Sequence, residues 1–187
     1  MAATVWTLTV PAMSGQSELS LDALTVPSGR LQPGCSLPPA PNVKVEGKAI
    51  RAGLWAGLPI SSNPWRGDDA AALAAIYQRI APPEEVPDGP PLSPRELALF
   101  RARFARDLEE AYAALYAPTS ANPSDVPSLV AVYAVRFKDL RAIDRLRSNP
   151  KLAANVRSSG RTAFVLTGRD SQCLEIVADH LRTLLPR

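Results

Sequence analysis

Histidine is almost missing from this chain of 187 residues, where His180 stands alone. One histidine cannot build a three-histidine zinc site, and the two cysteines, Cys35 and Cys173, cannot complete a Cys/His cluster with it. The cysteines also lack CxxC spacing and are too few for a disulfide framework, so free thiols are expected. No serine sits in a Gly-x-Ser-x-Gly elbow, and neither a P-loop nor a dinucleotide fingerprint occurs. These absences remove the common routes to nucleophilic, metal and nucleotide chemistry. No cofactor and no catalytic residue are expected, and His180, beside Asp179, reads as a surface residue of a helix.

Long apolar runs are missing as well. No stretch approaches the roughly 18 apolar residues of a membrane-spanning helix, so no membrane partner is expected. No Lys or Arg precedes Arg30, and the first apolar stretch is broken by threonines and Pro11, which does not fit a secretory signal. The expectation is a soluble protein in the cytoplasm or within a particle.

What the chain has is proline and charge, each unevenly placed. Seventeen of the 19 prolines precede residue 128. Residues 1–65 are nearly neutral, residues 66–127 carry ten acids against six bases, and residues 128–187 carry eleven bases against five acids. Between Arg136 and Arg169 nine bases face only Asp139 and Asp144. A field of one sign on one segment calls for an anionic partner or an internal acidic counter-surface. The composition shifts suggest a β-rich region with a proline-rich arm at 1–65, an acidic helical region at 66–127 and a basic module at 128–187, folded as one unit.

Period-two alternation predicts strands at Thr4–Val10 and around Leu19, Leu21 and Ala23, paired as a hairpin across Ser14-Gly15-Gln16. Pro27 to Pro41 reads as an extended arm, followed by short strands at Val43–Glu46 and around Ile50. Asp68 or Asp69 caps a helix whose Leu73, Ile76, Tyr77 and Ile80 share a face, ended by Pro82-Pro83. Ser93-Pro94-Arg95-Glu96 opens a second helix, with Leu97, Phe100, Phe104, Leu108, Ala111 and Leu115 as its stripe. The two would form an antiparallel helix pair. Beyond it, strands at Leu129–Val135 and Thr162–Thr167 enclose two helices, one bearing Leu140, Ile143 and Leu146 and one capped by Asn149. A last helix buries Leu174, Val177, Ala178, Leu181 and Leu184. The fold class is α+β, closing in a β-α-α-β-α module whose two strands are expected to be parallel neighbours.

Three constellations follow. Parallel strands would bring Arg136 and Lys138 beside Thr167, Gly168, Arg169 and Ser171, an anion site at the sheet's carboxyl edge. Arg141, Arg145 and Arg147, with Lys151, Arg157 and Arg161, form a basic face suited to phosphates or to an acidic protein surface such as that of Asp107, Glu109 and Glu110. Aromatic platforms for bases are scarce there, with Phe137 and Phe164 alone. Asp22, Glu46 and Lys48 have the acid, acid-x-lysine order of metal-dependent nucleases, although Lys44, Glu46 and Lys48 also suit the wet face of a strand.

The leading expectation is a non-catalytic subunit that docks in a larger complex through its arm and basic face, its partner being a protein with an acidic surface or a second copy. A nucleic-acid-binding component is the second reading. A metal-dependent nuclease or other phosphate-handling enzyme is the third.

Overall fold

The computed structural model describes residues 18–38, 42–45, 48–51, 58, 62–81, 105–119, 129–150, 155–168 and 171–185, with the backbone alone at 42–45, 48–51, 145 and 171. The predicted strand at Thr4–Val10, the helix start at Ser93-Pro94 and most of the helix after Asn149 lie outside them. Two strands dominate the described part: β5 (Leu108–Pro118) and β6 (Val130–Phe137). With β1 (Cys35–Ser36), β4 (Trp65–Gly67), β7 (Arg157–Ser159) and β8 (Thr162–Thr167) they form one six-stranded antiparallel sheet. Its order is β1-β5-β6-β8-β7, with β4 also on β5. A separate antiparallel pair joins β2 (Asn42–Val45) and β3 (Lys48–Arg51), close to the two short strands expected there. The α+β class holds.

Helices cover both faces of the sheet, which is why its central strands read as continuous apolar runs. On one face α2 (Ala70–Ile80) and α3 (Leu140–Arg147) pack on Ala111, Ala113, Leu115, Ala131, Tyr133, Val135, Ala163 and Val165. Asp69 caps α2 by accepting from the amides of Ala71 and Ala72, and Leu73, Ile76 and Ile80 are buried as the periodicity predicts. Tyr77 sets its ring edge against Phe137, 6.1 Å between centroids. On the other face lie a 3-10 turn (Leu21–Leu24), the single-turn α1 (Ser28–Leu31) and α4 (Ser171–Leu184). They cover Tyr112, Ala114, Tyr116, Val130, Val132, Ala134 and Phe164. Tyr112 shares a hydrogen bond with Thr25 Oγ1 at 2.8 Å, and Tyr116 accepts from the Val26 amide at 3.1 Å. Burial pushes both phenols above their ordinary pKa.

Several expectations are corrected. The segment around Leu19 and Leu21 is a 3-10 turn and not a strand, because a three-residue period puts Leu21 and Leu24 on the buried side. The second helix of the expected pair does not reach Leu115, since Leu108–Pro118 is strand. The strands β6 and β8 are antiparallel, with Ala131 opposite Thr167 and Arg136 opposite Thr162. The crossover leaving β6 instead reaches β7, which runs parallel to β6 one position away, and the β7–β8 hairpin slots β8 between them. Gly160, at φ 54°, makes that reversal without a Cβ penalty.

The cysteines are not free. Cys35 and Cys173 form a disulfide, with Cα atoms 5.1 Å apart, that fastens β1 to α4. Over residues 27–38 the expected arm therefore lies on its own body, with Leu31 and Cys35 buried and Ser36 Oγ donating to the Ala117 carbonyl at 3.1 Å. His180 is likewise internal. Its Nε2 hydrogen donates to the Ala23 carbonyl at 2.8 Å and ties α4 to the 3-10 turn.

Candidate interaction surface

The acids and bases that the sequence segregates meet at one end of the sheet. Glu110 on β5 and Arg136 on β6 are cross-strand partners, and opposite charges in that position attract. Arg136 Nη1 lies 3.3 Å from Glu110 Oε2, its Nη2 donates to the Leu19 carbonyl at 3.0 Å, and its Nε lies 3.7 Å from Glu18 Oε1. The Arg136 side chain is 12% exposed, so this guanidinium belongs to the interior. Arg66 on β4 grips Glu110 through Nε and Nη2 and Asp22 through Nη1. The hydrogen bond to Glu110, and then the nearby charges of Glu110 and Asp22, raise the pKa of Arg66 above its ordinary value.

Arg161 extends the chain of pairs from the β7–β8 turn. Its Nη2 lies 2.8 Å from Glu18 Oε1, its Nη1 lies 2.8 Å from Glu109 Oε2, and the same Nη1 donates to the carbonyls of Phe137 and Lys138. Its pKa is raised, first by the hydrogen bond to Glu18. The series Asp22, Arg66, Glu110, Arg136, Glu18, Arg161, Glu109 thus binds the 3-10 turn, three strands and a hairpin turn in alternating charge. Glu109 and Glu110 are an internal counter-surface for two of the nine clustered bases, and they act from a strand.

The expected anion site does not assemble. Antiparallel pairing places Arg136 and Lys138 at the end of β6 beside the start of β8, while Thr167 lies five residues away at the other end. That is about 17 Å at the usual strand rise. Lys138 is exposed and its Nζ donates to the Arg106 carbonyl at 2.9 Å. Gly168 packs so closely on Val130 and Leu129 that a Cβ would stand 2.8 Å from Val130 Cγ2, which gives this glycine a packing role. Arg169 lies outside the described residues, and Ser171 opens α4 with only its backbone described.

Two bases of α3 face water. Arg141 and Arg147 are exposed, Arg145 is described by its backbone alone, and Arg147 donates from Nε to Ser158 Oγ at 2.8 Å while pairing with Asp144 at 3.4 Å. On the same helix Ile143 and Leu146 are buried as expected, but Leu140 is 55% exposed. Asp139 explains the difference: it caps α3 through the Arg141 amide, so Leu140 is the first residue and sits clear of the sheet. An exposed leucine beside exposed arginines was not expected from the sequence, where it looked like the start of the buried stripe.

Asp22, the first member of the nuclease-like order, has its carboxylate engaged by Arg66, and Glu46 lies outside the described residues. Among the described residues no group of three or more His, Cys, Asp and Glu side chains is arranged to hold a metal ion. No helix among them is long and apolar enough to cross a membrane. Sequence reasoning overlooked Glu18 and Arg66, which belong to no motif and are brought to the network by the 3-10 turn and by β4. Compared with family models, curated proteins and solved structures, the chain matches none.

Proposed function

We propose that this protein is a non-catalytic interaction subunit that docks an acidic, partly apolar protein surface on the outer face of α3. The observation that carries this reading is Leu140, 55% exposed, between exposed Lys138 and Arg141, with exposed Arg147 on the same helix. Apolar area bordered by these cations, with Asp139 holding the Arg141 amide and Asp144 paired to Arg147, suits an interface core with a charged rim. Arg136 and Arg161 are engaged with the protein's own acids, so they supply fold stability and not docking charge. The Cys35–Cys173 disulfide favours an oxidising compartment over the cytoplasm.

A nucleic acid is the second reading, resting on the same exposed arginines; the shortage of nearby aromatic platforms weighs against base recognition. Native protein and the variants Leu140→Ser/Arg141→Glu/Arg147→Glu and Arg30→Glu separate the readings. The multi-subunit complex isolated from native extract should lose the triple variant and keep Arg30→Glu, whose charge lies across the sheet on α1. A strictly monomeric native chain contradicts docking. Oligonucleotide binding that falls with salt and vanishes in the triple variant establishes the second reading instead.

A further inference from the structure

A cavity of about 290 Å³ opens between the second half of α4 and the β7–β8 hairpin, on the face of the sheet opposite α3. Its composition is set by two registers. Ala178, Leu181 and Arg182 on α4, with Leu185 just past its end, recur at three- and four-residue steps and line one wall. On the hairpin Arg157 pairs with Phe164 across the strands, so both side chains rise on the α4 face. Phe164 and Leu181 are buried and form the floor with half-buried Leu166 and Leu185. Arg157 and Arg182 are exposed and stand at the mouth.

We propose that this cavity binds a small amphipathic carboxylate: an unbranched or aryl-alkyl acid with its apolar tail on Phe164 and Leu181 and its carboxylate between Arg157 and Arg182. Charge selects the head group. Arg182 pairs with Asp179 and Arg157 has an interaction of its own, yet a guanidinium has five N–H donors, more than a single partner uses. The floor selects the tail, since an anion without apolar surface gains nothing from Phe164 or Leu181. Volume sets the size. At about 30 Å³ per displaced water, the cavity holds about ten non-hydrogen atoms, the size of octanoate. The site is independent of the α3 docking face, and either can fail without the other.

The test is a titration of isotope-labelled native protein with octanoate, octan-1-ol and acetate, read by amide chemical shifts. Octanoate should give saturable shifts centred on Arg157, Phe164, Ala178 and Arg182. Octanol should bind at least tenfold more weakly, and acetate should give no saturable shift. The Arg157→Gln/Arg182→Gln variant should lose octanoate affinity at least tenfold while binding octanol unchanged. Ala178→Leu, which fills the cavity from a helical position, should lose both ligands. Equal affinities for octanoate and octanol, saturable shifts centred elsewhere, native affinity in either variant, or no saturable octanoate binding would overturn the proposal.

Discussion

Asn63 does with one carboxamide what a strand residue does with its backbone. Its Oδ1 accepts from the Leu115 amide at 2.8 Å, and its Nδ2 donates to the carbonyls of Leu115 at 2.8 Å and Pro38 at 2.6 Å. The outer edge of β5 is therefore completed in three pieces: β4 on Ala111–Ala113, the Asn63 side chain on Leu115, and β1 on Ala117 and Pro118. Asn63 is 8% exposed, so water cannot easily replace it. Asn63→Ala leaves an amide and two carbonyls without this partner, and a buried unsatisfied group costs about 1 to 3 kcal/mol. We expect a stability loss of about 2 to 4 kcal/mol on that basis, with faster hydrogen exchange at Leu115. Native-like exchange there in the alanine variant would remove Asn63 from the edge.

At the scale of elements, β5 shows why one part of the sequence misled and another did not. Leu108, Ala111 and Leu115 are spaced by three and four, the signature of a helical stripe. In the structure they share a face of a strand, because the register shifts between Leu108 and Glu110 and the extra residue restores the parity that alternation requires. Beyond the shift Tyr112, Ala114 and Tyr116 alternate with Ala111, Ala113 and Leu115, but both faces are apolar, so neither period stands out. By contrast, β8 and α3 begin and end near their predicted bounds, since each has a cap or turn residue beside it: Asp139 before α3, Gly160 and Gly168 around β8. The disulfide was not legible, because Cys35 and Cys173 are 138 residues apart and only the fold brings β1 to α4. Closing a loop of that length stabilises by about 5 kcal/mol in the chain-entropy model. The Cys35→Ser/Cys173→Ser variant should therefore unfold at markedly lower denaturant, with exchange rising first at Ser36, Ala117 and Thr119 along the β1–β5 pairing. Two reactive thiols in denatured, unreduced native protein would contradict the link.

For the whole molecule, the charge asymmetry in the sequence has two destinations. Topology decides which base goes where: antiparallel β5, β6 and β8 carry Glu109, Glu110, Arg136 and Arg161 to one end of the sheet, while the crossover exposes Arg141 and Arg147 on α3. The sequence pointed to the acidic counter-surface and to Glu109 and Glu110 within it, but not to the arginine each one meets, because pairing a glutamate with an arginine 26 residues away depends on strand register. The expected anion site depended on parallel strands and disappears with them. Urea denaturation of Arg136→Met and of Arg141→Met/Arg147→Met tests this division most directly. Removing Arg136, which with Glu110 forms the most buried pair of the network, should cost roughly 2 to 4 kcal/mol, whereas the exposed pair should stay within about 0.5 kcal/mol per site of native. Equal losses, or a stable Arg136→Met beside an unstable α3 variant, would contradict the separation of a folding set of charges from a docking set.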